Sequence, residues 1–162
     1  MSSRGQLYTL NPESARLTRV GEAAPLALQG QRFSVDFNPA ADRVRVVSDQ
    51  AQNLRLHPDT GAVAATDPAL AYAPDDVAAG RSPQVSAAGY TYNPDNDKLT
   101  TNYAIDLRAG TLVLQGSREG QTPVISPNTG NCARWAAWAW ARWKTPRSTS
   151  AMCATRRWPP CA

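Results

Sequence analysis

The first 130 residues of this 162-residue chain contain no cysteine and no tryptophan, and the whole chain has one histidine, His57. Without cysteine the body forms no disulfide and no thiolate metal site, and a lone histidine cannot anchor a zinc centre of the common kinds. His57 precedes Pro58 and reads as a turn residue facing outward. No run of residues approaches the ~20 apolar positions of a membrane span, and the opening MSSRGQ lacks the apolar centre of a secretory signal. As written, the chain is expected to stay in the cytoplasm; it would be exported or periplasmic if a signal preceded it. Ser48 has no G-x-S-x-G setting and no histidine relay, which argues against a serine hydrolase.

Basic charge is also scarce in the body. Eleven Lys and Arg face thirteen Asp and Glu there, a formal charge of −2, so the overall +4 comes from the last 32 residues, which hold six basic residues and no acid. Nucleic-acid binding needs a clustered basic footprint that this body does not offer. Neither a nucleic acid nor a membrane span is expected among its partners.

What the body does contain is a series of short alternating or β-branched runs separated by turn chemistry. Strands are expected over residues 6–10, 16–20, 43–47, 53–56, 62–65, 90–92, 103–107 and 111–114, with turns at 11–14, 57–61, 93–97 and 108–110. In the run at 43–47, Arg43, Arg45 and Val47 fall on one face and Val44 and Val46 on the other. Residues 67–83, rich in Ala, Asp and Pro, read as a long connection holding a short helix.

Three hairpins share one form. LYTLNPESARL at 7–17, LRLHPDTGAV at 54–63 and YAIDLRAGTL at 103–112 each run apolar strand, polar turn, apolar strand. Aligning Pro12, Pro58 and Leu107 gives spacings of 46 and 49 residues, near the ~40 to 50 of four-stranded propeller blades. One such hairpin cannot bury both faces, so neighbours must stack on it. The expected fold class is all-β, a partial β-propeller-like repeat array of antiparallel hairpins with an irregular C-terminal tail. A β-sandwich with chance similarity of turns is the competing reading. Rings close with ~4 to 8 blades, and residues 1–130 supply fewer than three.

Residues 131–162 differ in kind. All five Trp (Trp135, Trp138, Trp140, Trp143, Trp158) and all three Cys (Cys132, Cys153, Cys161) lie here, with no strand period and no metal-ligand spacing. An interfacial membrane peptide would need an amphipathic stripe that these Trp do not keep, and a partly buried helix with so many Trp would be unusual. A frameshift accounts for more. Trp has a single codon, TGG, and reading one base earlier turns each into Leu, Val or Met. With GC-rich codons the earlier frame gives QLRTVGGLGVGPLEDASFDISDVRN, which joins PNTG at 127–130 to resemble PESARLTRVG at 12–21. The expected organisation is therefore a partial β-propeller-like domain at 1–130 and an out-of-frame, disordered tail at 131–162.

The run FSVDFNPAADRVRVVSDQAQNLRLHPDTGAV at 33–63, with LYTLNP at 7–12 and YAID at 103–106, resembles the bacterial family known as domain of unknown function 4394. The resemblance covers about residues 5–130. It implies β-propeller-like repeats, an export signal in longer members, and a missing N-terminal portion ahead of Met1. The family brings no established activity and no catalytic residues.

The densest polar constellation is Asp36, Asn38, Asp42, Arg43, Arg45, Asp49, Gln52, Asn53 and Arg55. Arginines beside carboxylates at a propeller mouth suit an anionic or sugar ligand; the structural alternative is an ion-pair and turn network, with Asp36 and Asn38 capping the turn at Pro39. The candidate ligand-binding residues are Asp36, Asn38, Asp42, Arg43, Arg45, Asn53 and Arg55. NPDND at 93–97 offers oxygen ligands for Ca²⁺ through Asp95 and Asp97, but lacks the ~12-residue EF-hand spacing and its terminal Glu; no other cofactor is expected. The sequence favours a non-enzymatic scaffold or binding module. The alternatives are a propeller enzyme acting on a lactone or glycan with carboxylates and Ca²⁺, and an inactive truncated gene product.

Overall fold

Period-two alternation and turn residues resolve into eleven short strands in a computed structural model that describes residues 1–137. They are β1 (Tyr8–Leu10), β2 (Leu17–Arg19), β3 (Phe33–Asn38), β4 (Arg43–Ser48), β5 (Asn53–Leu56), β6 (Val63–Thr66), β7 (Ala71–Tyr72), β8 (Val85–Tyr90), β9 (Asn102–Asp106), β10 (Thr111–Gln115) and β11 (Asn131–Ala137). A short 3₁₀ turn, Pro127–Thr129, precedes β11. No helix among the described residues is long and apolar enough to cross a membrane.

The strands form three sheets: the hairpin β1-β2, an antiparallel meander β3-β4-β5-β6, and a five-stranded sheet in the order β7-β11-β10-β9-β8, in which β11 runs parallel to β7. The turns follow the sequence closely. Asn11 Oδ1 accepts from the amides of Glu13 and Ser14, fixing the first hairpin, and Gly61 closes the turn after His57 at φ 69°, a left-handed angle that glycine adopts without a Cβ penalty.

The alternation of β4 is borne out. Val44 and Val46 pack with Leu7, Val20, Leu26, Leu54 and Leu56 in one core beneath the N-terminal segment. Val47 joins Leu70, Tyr72, Val85, Ala104, Val113 and Cys132 in a second core against the five-stranded sheet. The central strands β4 and β5 are thus covered on both faces, while Val35 and Phe37 of β3 and Val63 of β6 stay exposed.

Strand β3 was not expected from the sequence, because Asp36 and Asn38 read as turn chemistry. FSVDFN does alternate, but with the polar residues inward. Ser34 Oγ donates to the Ala88 carbonyl at 2.8 Å and accepts from the Ala88 amide at 2.6 Å, while the Asp36 carboxylate accepts from the Tyr90 amide at 2.6 Å. These side chains supply the hydrogen bonds that the free edge of β8 would otherwise lack.

The long connection departs from expectation. Residues 67–83 hold β7 and a chain of turns, in which the amides of Asp76, Ala79 and Arg81 bond to carbonyls three residues back, and no helix. Of the expected tail, residues 131–137 form β11 and pair with β10, and the rest lies outside the described residues. Finally, the three similar hairpins become β1-β2, β5-β6 and β9-β10, which occupy different positions in their sheets. The 46- and 49-residue spacings therefore join hairpins at unlike sheet positions, and the described residues form an all-β arrangement of three sheets in which no propeller is seen.

Candidate functional site

Strand β4 carries Arg45 to the inner face of the middle sheet, where its side chain is only 3% exposed. A buried guanidinium is tolerated only when its charge and donors are matched. Arg45 Nη1 donates to Asp67 at 3.1 Å and to Asn53 Oδ1, Nε donates to the Tyr90 hydroxyl at 2.6 Å, and Nη2 donates to Asn128 Oδ1. Asp67 also receives Arg55 in a two-pronged contact at 2.8 and 2.7 Å. That hydrogen bond is the main reason the Arg55 guanidinium holds its proton more tightly than usual. Burial pushes the Tyr90 phenol up, against the opposing pull of Arg45 beside it.

Arg45 also orients the carboxamides around it. A guanidinium has donors and no acceptor, so Asn53 and Asn128 must both turn their oxygens toward it. Asn53 Nδ2 then donates to the Pro68 carbonyl at 3.1 Å. Gln115 Nε2 donates to Asn53 Oδ1 at 3.2 Å and to the Pro127 carbonyl at 2.9 Å, leaving Gln115 Oε1 to accept from Asn102 Nδ2 at 2.9 Å. The relay ends on Asn102 Oδ1, which is buried and has no donor among the described residues.

These groups lie beside a cleft of about 290 Å³ lined by Asn38, Tyr90, Asn102, Gln115 and Asn128, with Leu99, Val124 and Ile125 as apolar wall and Lys98, Arg118 and Glu119 as charged lining. Its size is at the lower end of the ~300 to 1,000 Å³ typical of small-molecule sites. A hollow of about 300 Å³ on the outer side of β8, β9 and β10 is lined by small and apolar residues such as Ala87, Gly89 and Ile105. Polar groups converge only on the first.

Of the residues singled out in the sequence, Asn38 lines the cleft, and Arg45 and Asn53 set the polarity of its floor. Arg55 reaches the network through Asp67, and Asp36 fastens the seam at Tyr90. Asp42 and Arg43 stand apart, in an exposed turn pair 3.9 Å from one another. Asp49 and Gln52 hold the 29–31 segment, accepting from the amides of Gln31 and Gln29. Asp67, Tyr90, Asn102, Gln115 and Asn128 were missed. A polar residue alternating with apolar ones at a strand end, as Asn102 and Gln115 do, was the available signal.

A second buried pair is structural. Asp106 accepts from the Tyr72 hydroxyl at 2.6 Å and from the amides of Gln84, Arg108 and Ala109, so its oxygens are already engaged. Asp95 and Asp97 lie on an exposed loop held by Asn93 Oδ1. Among the described residues no group of three metal-ligating side chains gathers.

The fold and cleft define an all-β protein of stacked sheets with a polar hollow at one end of the seam. The chain belongs to the family described as domain of unknown function (DUF4394), whose model matches residues 1–139. The match extends past Gly130 and takes in β11. No curated protein and no solved structure matches the chain.

Proposed function

We propose that this chain is a non-enzymatic binding module on a propeller-like scaffold, with the cleft between its second and third sheets as the binding site. The observation that carries this reading is the buried Arg45 network, which fixes the orientation of the amides on the cleft floor. Preorganised polar groups beside an apolar wall suit recognition. The floor is made of carboxamides and a phenol whose proton is held more tightly than usual, and such groups are poor general bases or nucleophiles near neutral pH. The propeller-like reading is supported by stacking in chain order, since the N-terminal segment packs on the β3–β6 sheet and that sheet packs on the next.

Amide NMR of the full chain, titrated with a library of small polar fragments, tests the site. Saturable shifts confined to residues around the cleft, such as Tyr90, Asn102 and Asn128, are expected. Shifts only at the outer hollow near Gly89 and Ile105, or none at all, would overturn the reading.

A further inference from the structure

The floor of the cleft has a hydrogen-bond polarity that restricts what it can hold. Asn128 turns its oxygen to Arg45 and has no protein acceptor for its Nδ2 among the described residues. Asn102 gives its Nδ2 to Gln115 and has no donor for Oδ1 among the described residues. One amide therefore has hydrogens to give and the other an oxygen to fill. Neither can reverse cheaply, because flipping Asn128 or Asn53 would turn an NH₂ group onto a buried guanidinium. The charges beneath this end of the cleft balance, Arg45 and Arg55 against Asp67 and Asp36. Beside the polar floor lies the apolar wall of Leu99, Val124 and Ile125.

We propose that the cleft binds an uncharged saccharide. This rests on the binding-module reading and names its ligand class. A hydroxyl both donates and accepts, so two neighbouring hydroxyls of a sugar ring can fill Asn102 Oδ1 and take the Asn128 N–H, while ring C–H groups cover the apolar wall. For an anionic ligand the surplus positive charge lies in the side lining, Lys98 and Arg118 against Glu119, and not in the floor, where the charges are matched. A peptide amide carries the same two functions but has no adjacent pair of groups that each do both. Asn102 Oδ1 is covered by protein, so engaging it requires the Asn102 side chain to shift.

The experiment is titration of the full chain with maltotriose and cellotriose, read on the side-chain amide resonances of Asn102 and Asn128 at low and high salt. Trigalacturonate and an N-acetyl dipeptide amide serve as comparison probes. At least one neutral trisaccharide should shift both resonances saturably, with a Kd that changes less than about twofold with salt. Asn128→Ala should weaken it by about tenfold, the loss of one good hydrogen bond, while Arg43→Gln, outside the cleft, leaves it unchanged. Because the wild-type resonances carry the primary readout, a poorly folding variant does not blunt the test. Binding of trigalacturonate alone, lost at high salt, or of the dipeptide alone, would overturn the saccharide assignment and leave the binding module standing. The same holds if library fragments shift cleft resonances and no trisaccharide does. Silence from both trisaccharides and fragments would remove both readings.

Discussion

Arg45 Nε donates to the Tyr90 hydroxyl at 2.6 Å, joining the second strand of one sheet to the edge strand of the next. Asp36, which faces Arg45 across the β3/β4 register, accepts the backbone N–H of the same tyrosine at 2.6 Å. Tyr90 is therefore held by its main chain and its side chain at once. The seam between these sheets is polar at the cleft end and apolar where Val47, Val85 and Val113 meet.

This arrangement predicts a hierarchy of stability losses. Arg45→Ala leaves Asp67 to Arg55 alone and strips Asn53, Asn128 and Tyr90 of their shared donor. Breaking a buried ion pair from one side costs about 3 to 5 kcal/mol. Tyr90→Phe removes one hydrogen bond to a charged donor, about 1.5 to 3 kcal/mol. Arg45→Lys should fall between wild type and Arg45→Ala, because one ammonium cannot reach every acceptor that the planar guanidinium serves. Urea denaturation of the three variants measures the order; equal losses for Arg45→Ala and Tyr90→Phe would show that Arg45 matters only through the tyrosine.

The sequence disclosed the strands and turns better than it disclosed their neighbours. Alternation at 43–47 correctly separated Val44 and Val46 from Arg45 and Val47. Asn11, Asn93 and Gly61 marked their turns because their chemistry acts on the adjacent backbone. β3 was hidden because its polar residues face inward, where they satisfy the edge of β8, an arrangement that depends on a strand some fifty residues away. The cleft is a product of similar long-range pairings. Arg45 and Asn53 were visible as a polar cluster, but their partners Asp67, Gln115 and Asn128 lie up to 83 residues away, and no local pattern links them.

The attachment of β11 should depend on acid pH. The Asp76 carboxylate accepts from the Arg134 amide at 2.8 Å, from Arg134 Nε at 3.0 Å and from the Ala78 amide at 2.8 Å. Burial alone would raise its pKa, but these hydrogen bonds and the Arg134 charge outweigh that effect and hold it below the ordinary carboxylate value. A depressed carboxylate contributes stability that is present above its unfolded pKa and is lost as pH falls through its folded one. Hydrogen exchange at the Arg134 amide should therefore quicken as pH falls below about 4, after correction for intrinsic rates. Asp76→Asn should speed it at neutral pH and flatten the dependence. An unchanged profile in that variant would assign the acid sensitivity elsewhere.

Cys132 tests where the folded body ends. It sits in β11 at 1% exposure, packed with Leu70, Tyr72 and Val113, and burial foremost pushes its thiol up to about 12. Removing Cys153 and Cys161 by substitution with serine leaves a single thiol. If β11 is docked, that thiol should resist Ellman's reagent at pH 8 until urea unfolds the chain, since the reactive species is an accessible thiolate. Rapid native labelling would instead favour a boundary at Gly130. The strand also bears on the proposed reading frame. The restored text QLRTVGG over 131–137 puts a leucine where Cys132 meets the core, but it also puts a threonine at 134 and so removes the Arg134–Asp76 pair, and the two changes oppose one another in stability. The nucleotide sequence around codons 130 and 131 decides the frame directly: if no single-base insertion or deletion there restores this text, the reading falls.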